Sequence, residues 1–228
     1  LSKDYATKRR GLIHMDKAIH GAAPPGDPQR QTAILQGQSI NYETTHQTAV
    51  LIPSLIPLPG SQGETSSFSI ADRFGNIVSV THSVNATFGS GLVVEGGGYV
   101  LNDRMPYFSL EAGDVNALEP GKRPRHTINP ALAFKNGKPF LAWNTPGGDN
   151  QPQAMLQAFL SVVEFVMNLQ QAAEAPTITT SNFHASMYPQ KAGDDLTVPK
   201  LLADRIGPAL TAKGHRLKVN AVQPPYGQ

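Results

Sequence analysis

The sequence contains no cysteine, so its 228 residues hold no disulfide, thiolate nucleophile or cysteine-ligated zinc. It also has no apolar run of the about 18 residues that a membrane-spanning helix requires. The first five residues lack the apolar core of a signal peptide, so any export signal is expected outside this chain. These absences exclude redox cross-linking and predict no membrane span in this chain.

Charged residues are scarce as well. Asp, Glu, Lys and Arg make up 16% of the chain, below the roughly 25% of an average domain. The formal net charge is only +2, and the one tight basic cluster, at residues 8–10, is interpreted as a solvated helix face. The sequence therefore predicts no nucleic-acid partner.

Motifs for metals, nucleotides and serine hydrolases are also missing. The seven histidines include no H-E-x-x-H pair, so no catalytic metal is predicted. No P-loop is present, and the glycines do not fit dinucleotide-binding spacing, so no cofactor is predicted. No G-x-S-x-G elbow is present either, although a Ser-His-Asp triad stays open.

What the chain does contain predicts an α+β fold with antiparallel hairpins. Polar and apolar residues alternate over 64–83 around a turn at 72–76, and Asn136 and Gly137 form a second turn signal. Asp149 or Asn150 can cap a helix that has Pro152 in its first turn. The predicted helices are 1–20, roughly 151–173 and about 198–213, with a short strand at 215–219.

Residues 21–63 lack regular periodicity and carry loop signals rich in Pro and Gly, which predict a mobile connector. A structureless segment of this length is unusual inside one compact domain. A boundary is therefore expected just before Thr65.

Gly147 and Gly148 lie at a predicted strand-to-helix junction. Two glycines let backbone N–H groups face a cleft without a Cβ in the way, and the following helix adds its positive N-terminal end. The pair is a candidate oxyanion hole, and a plain turn is the alternative.

Several stretches, all in order, resemble the γ-glutamyltranspeptidase family. The resemblance covers most of the chain, and it implies an N-terminal-nucleophile hydrolase fold, an αββα sandwich of antiparallel sheets between helix layers. The matching stretches are TSSFSIADRFGNIVSVTHSVNATFGSG (65–91), LNDRMPYFS (101–109), PGKRP (120–124), TPGG (145–148) and NLQQAAEAP (168–176) in the small subunit, with LSKDYA (1–6) and RGLI (10–13) at the end of the large subunit.

The resemblance also implies a precursor that cuts itself between Glu64 and Thr65. Residues 1–64 would then be the C-terminal part of the large subunit plus the mobile connector, and 65–228 the small, catalytic subunit. The freed Thr65 would be the nucleophile, with its own α-amine as base. An α-amine has a pKa of about 7.7–8.0, whereas an internal Thr65 has no amine, so the uncut precursor is expected to be inactive.

The same match assigns other site residues. Gly147 and Gly148 take the oxyanion-hole position, Ser83 the position of a hydroxyl that orients the nucleophile, and Asn85 that of a substrate-binding Asn.

Two positions depart from the family's pattern. The hydroxyl pair that holds the γ-glutamyl α-carboxylate appears as His126 and Thr127, and His126 has a structural role as its alternative. The Asp that pairs with the α-ammonium is replaced by Tyr107, with Asp103 nearby but offset. This loses a charge-assisted bond of roughly 1.5–3 kcal/mol and favours other acyl groups, as in cephalosporin-acylase-like members. Arg104 is a candidate for bidentate carboxylate binding, with a packing role equally open.

The predicted function is therefore that of a γ-glutamyltransferase-like amidohydrolase or acyltransferase. Its partners would be a small γ-glutamyl or acyl-amide substrate and the large subunit of the same precursor. The alternative is an unprocessed, non-catalytic homologue serving as a binding or structural subunit, and a lectin-like β domain has only the Gly-rich turns in its favour. The resemblance is compatible with a periplasmic or extracellular location, and a cytoplasmic one stays open.

Overall fold

A computed structural model describes residues 3–22, 49–51, 65–188 and 190–220. Most of the predicted connector and the predicted cleavage residue Glu64 lie outside these ranges. The described parts are α+β, as predicted. Their helices are α1 Lys3–Arg10, α2 Gln151–Val163, α3 Leu169–Glu174 and α4 Lys200–Ala212, and their strands are β1 Ala49–Leu51, β2 Ser66–Ala71, β3 Ile77–His82, β4 Leu92–Val94, β5 Ala131–Lys135, β6 Lys138–Trp143, β7 Thr179–Thr180, β8 Asp195–Pro199 and β9 Arg216–Asn220.

The first predicted hairpin is confirmed. Strands β2 and β3 pair antiparallel, from Ser66 opposite His82 to Ala71 opposite Ile77. The carboxylate of Asp72 closes the turn because it accepts the backbone N–H groups of residues 74 and 76 at 2.8 and 2.9 Å. This register brings the residue before β2 close to the residue after β3.

The second hairpin, of β5 and β6, is confirmed too. Asn136 and Gly137 have φ values of 54° and 74°, as a two-residue turn with both residues at positive φ requires. The hairpin contacts the first one, since the Ser79 hydroxyl donates to the Trp143 carbonyl at 3.0 Å. Strand β4 pairs with β1 in a separate two-stranded sheet.

Helix α2 begins where the sequence predicts, and Pro152 lies in its first turn. The predicted side-chain cap is wrong, because Asn150 makes no capping bond. Asp149 instead accepts hydrogen bonds from the Ser186 hydroxyl and, at 2.9 Å, from the Ser186 N–H. This carboxylate therefore anchors the start of α2 to a distant loop.

The prediction of one helix over 151–173 is also wrong. Helix α2 ends at Val163, the chain reverses through Val166 at φ 54°, and α3 starts after Asn168. The apolar pattern runs on through this break, but a capping box overrides it. The Asn168 side chain accepts the Gln171 N–H at 2.9 Å, and the Gln171 side chain accepts the Asn168 N–H at 3.0 Å.

The first helix is shorter than predicted and ends at Arg10. Ile13 and Met15 beyond it are 63% and 80% exposed, so their side chains find no apolar face to pack on. The segment instead lies along the end of α4, where the Ala18 N–H donates to the Lys213 carbonyl and the Lys213 ammonium donates to the Met15 carbonyl, each at 2.7 Å.

The C-terminal elements form a three-stranded sheet in the order β7-β8-β9. Strands β8 and β9 are parallel and joined by α4, close to the predicted helix and strand. Val198 of β8 is fully buried. Among the described residues, no helix is long and apolar enough to cross a membrane.

Helix α2 packs on the second hairpin through aromatic rings. Trp143 and Phe159 stack with their ring centroids 5.2 Å apart, and the Trp143 indole donates to the Met155 carbonyl at 3.2 Å. This packing fixes both ends of the loop at residues 144–150, which carries Gly147 and Gly148.

Candidate active site

The predicted nucleophile lies beside a second hydroxyl. The Thr65 Oγ1 donates to the Ser83 Oγ at 3.0 Å, and both residues are half-buried. Thr65 immediately precedes β2 and Ser83 immediately follows β3, so the antiparallel register brings them together. The structure therefore joins residues 18 positions apart in the sequence.

Asn85 and Tyr107 extend this cluster. The Ser83 hydroxyl oxygen accepts the Asn85 N–H at 3.0 Å, and the Tyr107 hydroxyl donates to Asn85 Oδ1 at 2.9 Å. Asn85 has φ 80°, a left-handed conformation that Asn tolerates better than most residues. Tyr107 is only 3% exposed. Four of the predicted residues thus form one continuous hydrogen-bonded chain that starts at Thr65.

Arg104 lies against Tyr107, at the far end of this series of hydrogen bonds. Its guanidinium carbon is 5.2 Å from the centre of the Tyr107 ring, within cation–π range, and the residue is 7% exposed. Its buried Nη1 has no hydrogen-bond partner in the described part of the chain. The backbone around it is held by Asp103, whose Oδ1 accepts the Ala86 N–H at 3.0 Å. Asp103 is therefore a structural anchor.

Gly147 and Gly148 have φ values of 123° and 55°, and Gly148 opens the short 3-10 helix Gly148–Asn150 ahead of α2. Within the described ranges, neither of their N–H groups has a hydrogen-bond acceptor. A Cβ added to Gly148 would meet no atom within 4 Å, so this backbone faces open space. Two free N–H groups at the start of a helix are suited to a developing negative charge.

Asn144, which the sequence analysis missed, links this loop to the nucleophile's hairpin. Its Nδ2 donates to the Phe68 carbonyl at 2.8 Å, the Ser69 hydroxyl at 3.3 Å and the Ser79 hydroxyl at 2.7 Å. The loop therefore begins within a few residues of Thr65. The sequence feature that could have identified Asn144 is its position directly before the T-P-G-G motif.

Gln151, which was also missed, ties the other end of the loop to Thr127. With its amide nitrogen facing two carbonyls, Gln151 donates to Thr127 O at 2.7 Å and to Thr145 O at 3.3 Å. It is 1% exposed, and Thr127 is 7% exposed. His126 is exposed, and its Nδ1 accepts the Ile128 N–H at 3.2 Å. Thr127 is thus brought to the glycine loop, while His126 makes no hydrogen bond to the Thr65 cluster in the described ranges.

No group of three or more histidine, aspartate or glutamate side chains that could hold a metal ion occurs in the described residues. The chemistry that the arrangement offers is that of hydroxyl groups, backbone N–H donors and one buried guanidinium.

Comparison with known proteins shows the family of the chain. The model of the gamma-glutamyltranspeptidase family matches residues 1–228. The chain belongs to the gamma-glutamyltranspeptidase family. It is 32% identical over 222 residues to a glutathione hydrolase proenzyme of Bacillus subtilis subsp. natto, and 28% identical over 217 residues to an acylase ACY 1 proenzyme of Pseudomonas sp. strain SE83. These alignments cover 97% and 95% of this chain but 34% and 31% of the relatives, so the chain spans about a third of their length.

Solved structures of the gamma-glutamyltranspeptidase family share the fold. A cephalosporin acylase from Bacillus halodurans is 30% identical with a TM-score of 0.69, over 97% of this chain and 32% of that one. An acivicin-inhibited gamma-glutamyltranspeptidase is 33% identical with a TM-score of 0.57, over 70% of this chain and 86% of that one. The family resemblance read from the sequence is confirmed.

Proposed function

We propose that this chain is the catalytic part of an autoprocessed N-terminal-nucleophile amidohydrolase or acyltransferase. It cleaves γ-glutamyl or related acyl amides through an acyl-enzyme on Thr65. The observation that carries the proposal is the 3.0 Å hydrogen bond from Thr65 Oγ1 to Ser83 Oγ, at the head of the chain that continues to Asn85 and Tyr107. Names of relatives add support, because several are proenzymes of glutathione hydrolases or acylases.

Processing breaks the bond between Glu64 and Thr65 and gives Thr65 a free α-amine. With a pKa of about 7.7–8.0, this amine is partly unprotonated near neutral pH and accepts the hydroxyl proton. The Thr65 oxygen then attacks the amide carbonyl and forms a tetrahedral intermediate. Cleavage is thus the activating step, since the base does not exist before it.

The N–H groups of Gly147 and Gly148 stabilise the negative oxygen of that intermediate. Collapse expels the amine, which takes the proton held by the Thr65 α-amine, and leaves an ester on Thr65. Water or an acceptor amine attacks the ester and releases the acyl group. Support for this role of the glycines comes from their N–H groups, which have no acceptor among the described residues, and from Asn144, which holds their loop to β2.

Ser83 is a positioning residue for Thr65, because its oxygen accepts bonds from both the Thr65 hydroxyl and the Asn85 N–H. Asn85, Arg104, Tyr107, His126 and Thr127 bind the acyl group. Thr127 is the better supported of the last two, since Gln151 joins it to the glycine loop.

The subunit division follows the same scheme, with 1–64 as the tail of a large subunit and 65–228 as the small subunit of an αββα sandwich. Support comes from the hairpins, whose apolar side chains need a covering layer. Phe68 and Ile70 of β2 are 49% and 58% exposed, and Val78 of the paired strand β3 is 49% exposed. Exposed apolar side chains on neighbouring strands are typical of a face that a partner covers.

Intact-mass measurement of the full-length protein tests the proposal. We expect a fragment that begins at Thr65, together with hydrolysis of an acyl anilide. Thr65→Ala should abolish both, with a loss of turnover of about a thousandfold or more.

Ser66→Ala is the matched control. Ser66 is the exposed hydroxyl residue next in the chain, and its loss should leave processing and turnover nearly unchanged. An active Thr65→Ala protein would end the proposal, and a wild-type chain that stays intact and inactive would favour the non-catalytic alternative.

A further inference from the structure

The loop that carries Gly147 and Gly148 places little restraint on its own shape. Both glycines have positive φ values, 123° and 55°, and neither has a Cβ that would restrict the backbone. Donors to a developing negative charge must nevertheless be held within a narrow range of positions. The shape of this loop must therefore come from contacts with the rest of the protein. Asn144 and Gln151 hold its two ends, and a third contact lies directly beside the glycines.

This third contact joins Asp149 to Ser186. Asp149 Oδ2 accepts the Ser186 N–H at 2.9 Å, and Asp149 Oδ1 accepts the Ser186 hydroxyl. Bonds to a carboxylate are charge-assisted and stronger than bonds between neutral groups. Ser186 is only 2% exposed, so water competes little for its hydroxyl. Because Asp149 follows Gly148 directly, a fixed Asp149 restrains the backbone of the glycine pair.

The segment that carries Ser186 is itself held on its far side. The Tyr188 N–H donates to the Pro106 carbonyl at 2.8 Å. The Gln190 side-chain amide donates to the Tyr107 carbonyl at 3.0 Å. Ser186 is therefore a fixed point against which Asp149 can be held, since the residues after it are bonded to a different part of the molecule.

We propose that Ser186 is a positioning residue for the oxyanion site, which acts through Asp149 on the N–H groups of Gly147 and Gly148. This inference rests on the proposed function, because it takes these two N–H groups as the oxyanion donors. The negative oxygen exists in the tetrahedral intermediate and not in the bound substrate. Poorer placement of the donors should therefore lower kcat and leave KM nearly unchanged.

Ser186→Ala in the full-length protein tests this role. With an acyl 4-nitroanilide as substrate, kcat should fall about tenfold and KM should change less than about twofold. Ser181→Ala is the matched control, because Ser181 is half-buried in the same stretch of chain and its hydroxyl oxygen accepts the Asp195 N–H of β8 at 3.0 Å. This control should keep kcat within about twofold. A wild-type kcat in Ser186→Ala, or an equal loss in both variants, overturns the proposal.

Two substitutions of Asp149 test the contact from its other end. Asp149→Asn keeps one acceptor oxygen in a side chain of the same shape, whereas Asp149→Leu keeps only the approximate size. We expect kcat to fall severalfold in the Asn variant and about tenfold or more in the Leu variant. Adding Ser186→Ala to Asp149→Leu should lower kcat little further, because both changes remove the same contact. Equal losses in the Asn and Leu variants, or multiplied losses in the double variant, contradict the proposal.

Hydrogen exchange at Asn150 separates this inference from the proposed function. The Asn150 N–H donates to the Gly147 carbonyl at 3.0 Å, so its exchange rate reports the shape of the loop without any turnover. The rate should rise about tenfold in Ser186→Ala and less than about twofold in Ser181→Ala. If the wild-type protein turns over no anilide, the proposed function fails, and the exchange rate alone decides whether Ser186 positions the loop. An unchanged rate in Ser186→Ala overturns the inference whatever the turnover.

Discussion

The active-site region and the C-terminal unit of β8, α4 and β9 use polar groups in opposite ways. Around Thr65 the bonds join hydroxyl, amide and phenol groups, and Tyr107 and Arg104 are nearly buried. The C-terminal unit and Asp194, the residue just before it, contribute to three of the four ion pairs of the described residues, all between solvent-accessible side chains. Those pairs are His20 with Asp194, Lys200 with Asp204 and Arg216 with Asp195.

The two regions should therefore differ in how strongly a substitution affects the protein. Exposed ion pairs are worth about 0–1 kcal/mol each, because water and salt screen them. Buried uncharged groups bond to one another without screening, and leaving one of them without a partner costs about 1–3 kcal/mol. Substitutions near Thr65 should therefore change activity or stability strongly, and substitutions in the ion pairs should change either one weakly.

The largest contrast should come from two glycines. Gly148→Ala and Gly121→Ala both place an alanine at positive φ, 55° and 73°, in open space, so each should lose about 1 kcal/mol of unfolding free energy. Only Gly148→Ala should lower kcat, by about a hundredfold, because it displaces an oxyanion donor. Steady-state kinetics and urea unfolding of the two variants measure this. Equal effects on kcat would remove Gly148 from the oxyanion site.

An intermediate effect is expected at Gln151, which is buried between the Thr127 and Thr145 carbonyls. Gln151→Leu should destabilise the protein by about 1–3 kcal/mol and lower kcat/KM, because the Thr145 carbonyl loses its donor beside the glycine loop. Gln170→Leu, on the exposed face of α3, is the control and should change neither quantity measurably. A Gln151→Leu protein as stable as the wild type would contradict a supporting role for this amide.

The smallest effect is expected at Asp194. Its hydrogen bond to His20, at 2.9 Å, is the main cause that holds the pKa of Asp194 below the ordinary value of 3.8, with the Gly21 N–H as the next contributor. A lowered pKa in the folded state stabilises the protein above the unfolded-state value, and this contribution is lost as the pH falls through the folded-state value.

Wild-type unfolding free energy should therefore fall slightly more steeply below about pH 4 than that of Asp194→Asn. Thermal unfolding at low salt measures the difference. The pH is varied from about 2 to about 7, so that it brackets the ordinary pKa of a carboxyl group. Asp204→Asn, which removes another exposed ion pair, serves as the charge control. Identical pH profiles for wild type and Asp194→Asn would show that this pair contributes nothing.

Local signals in the sequence were enough for the hairpins and for α4. The turn at residues 72–76 and the Asn136–Gly137 pair each impose a backbone geometry that few other structures satisfy. The prediction of one long helix over 151–173 failed because apolar periodicity indicates which residues are buried, not whether the helix is continuous. The apolar pattern therefore continues across the break at Val166. The capping box that begins at Asn168 was visible in the sequence, and it was the signal that a new helix, α3, starts after α2 has ended.

The site residues likewise divide into those that the sequence identified and those that it did not. Thr65, Ser83 and Asn85 were identified by resemblance, and the hairpin register explains why the first two meet. Asn144 was missed because its role depends on partners far along the chain, such as Phe68 O, 76 residues away, and Gln151 because its amide joins the carbonyls of Thr127 and Thr145 from two separate segments. No local pattern encodes such a partner.

By itself the sequence determined the family, the α+β class and the candidate nucleophile, because turn chemistry and ordered motifs are local properties of the chain. Only the tertiary structure decided that the Tyr107 hydroxyl donates to Asn85 Oδ1 and that Arg104 is buried with no carboxylate partner among the described residues. Hydrogen-bond satisfaction and burial depend on every neighbour in space. The identity of the residues therefore indicates which chemical groups are available, and their packing decides which of these groups lie together.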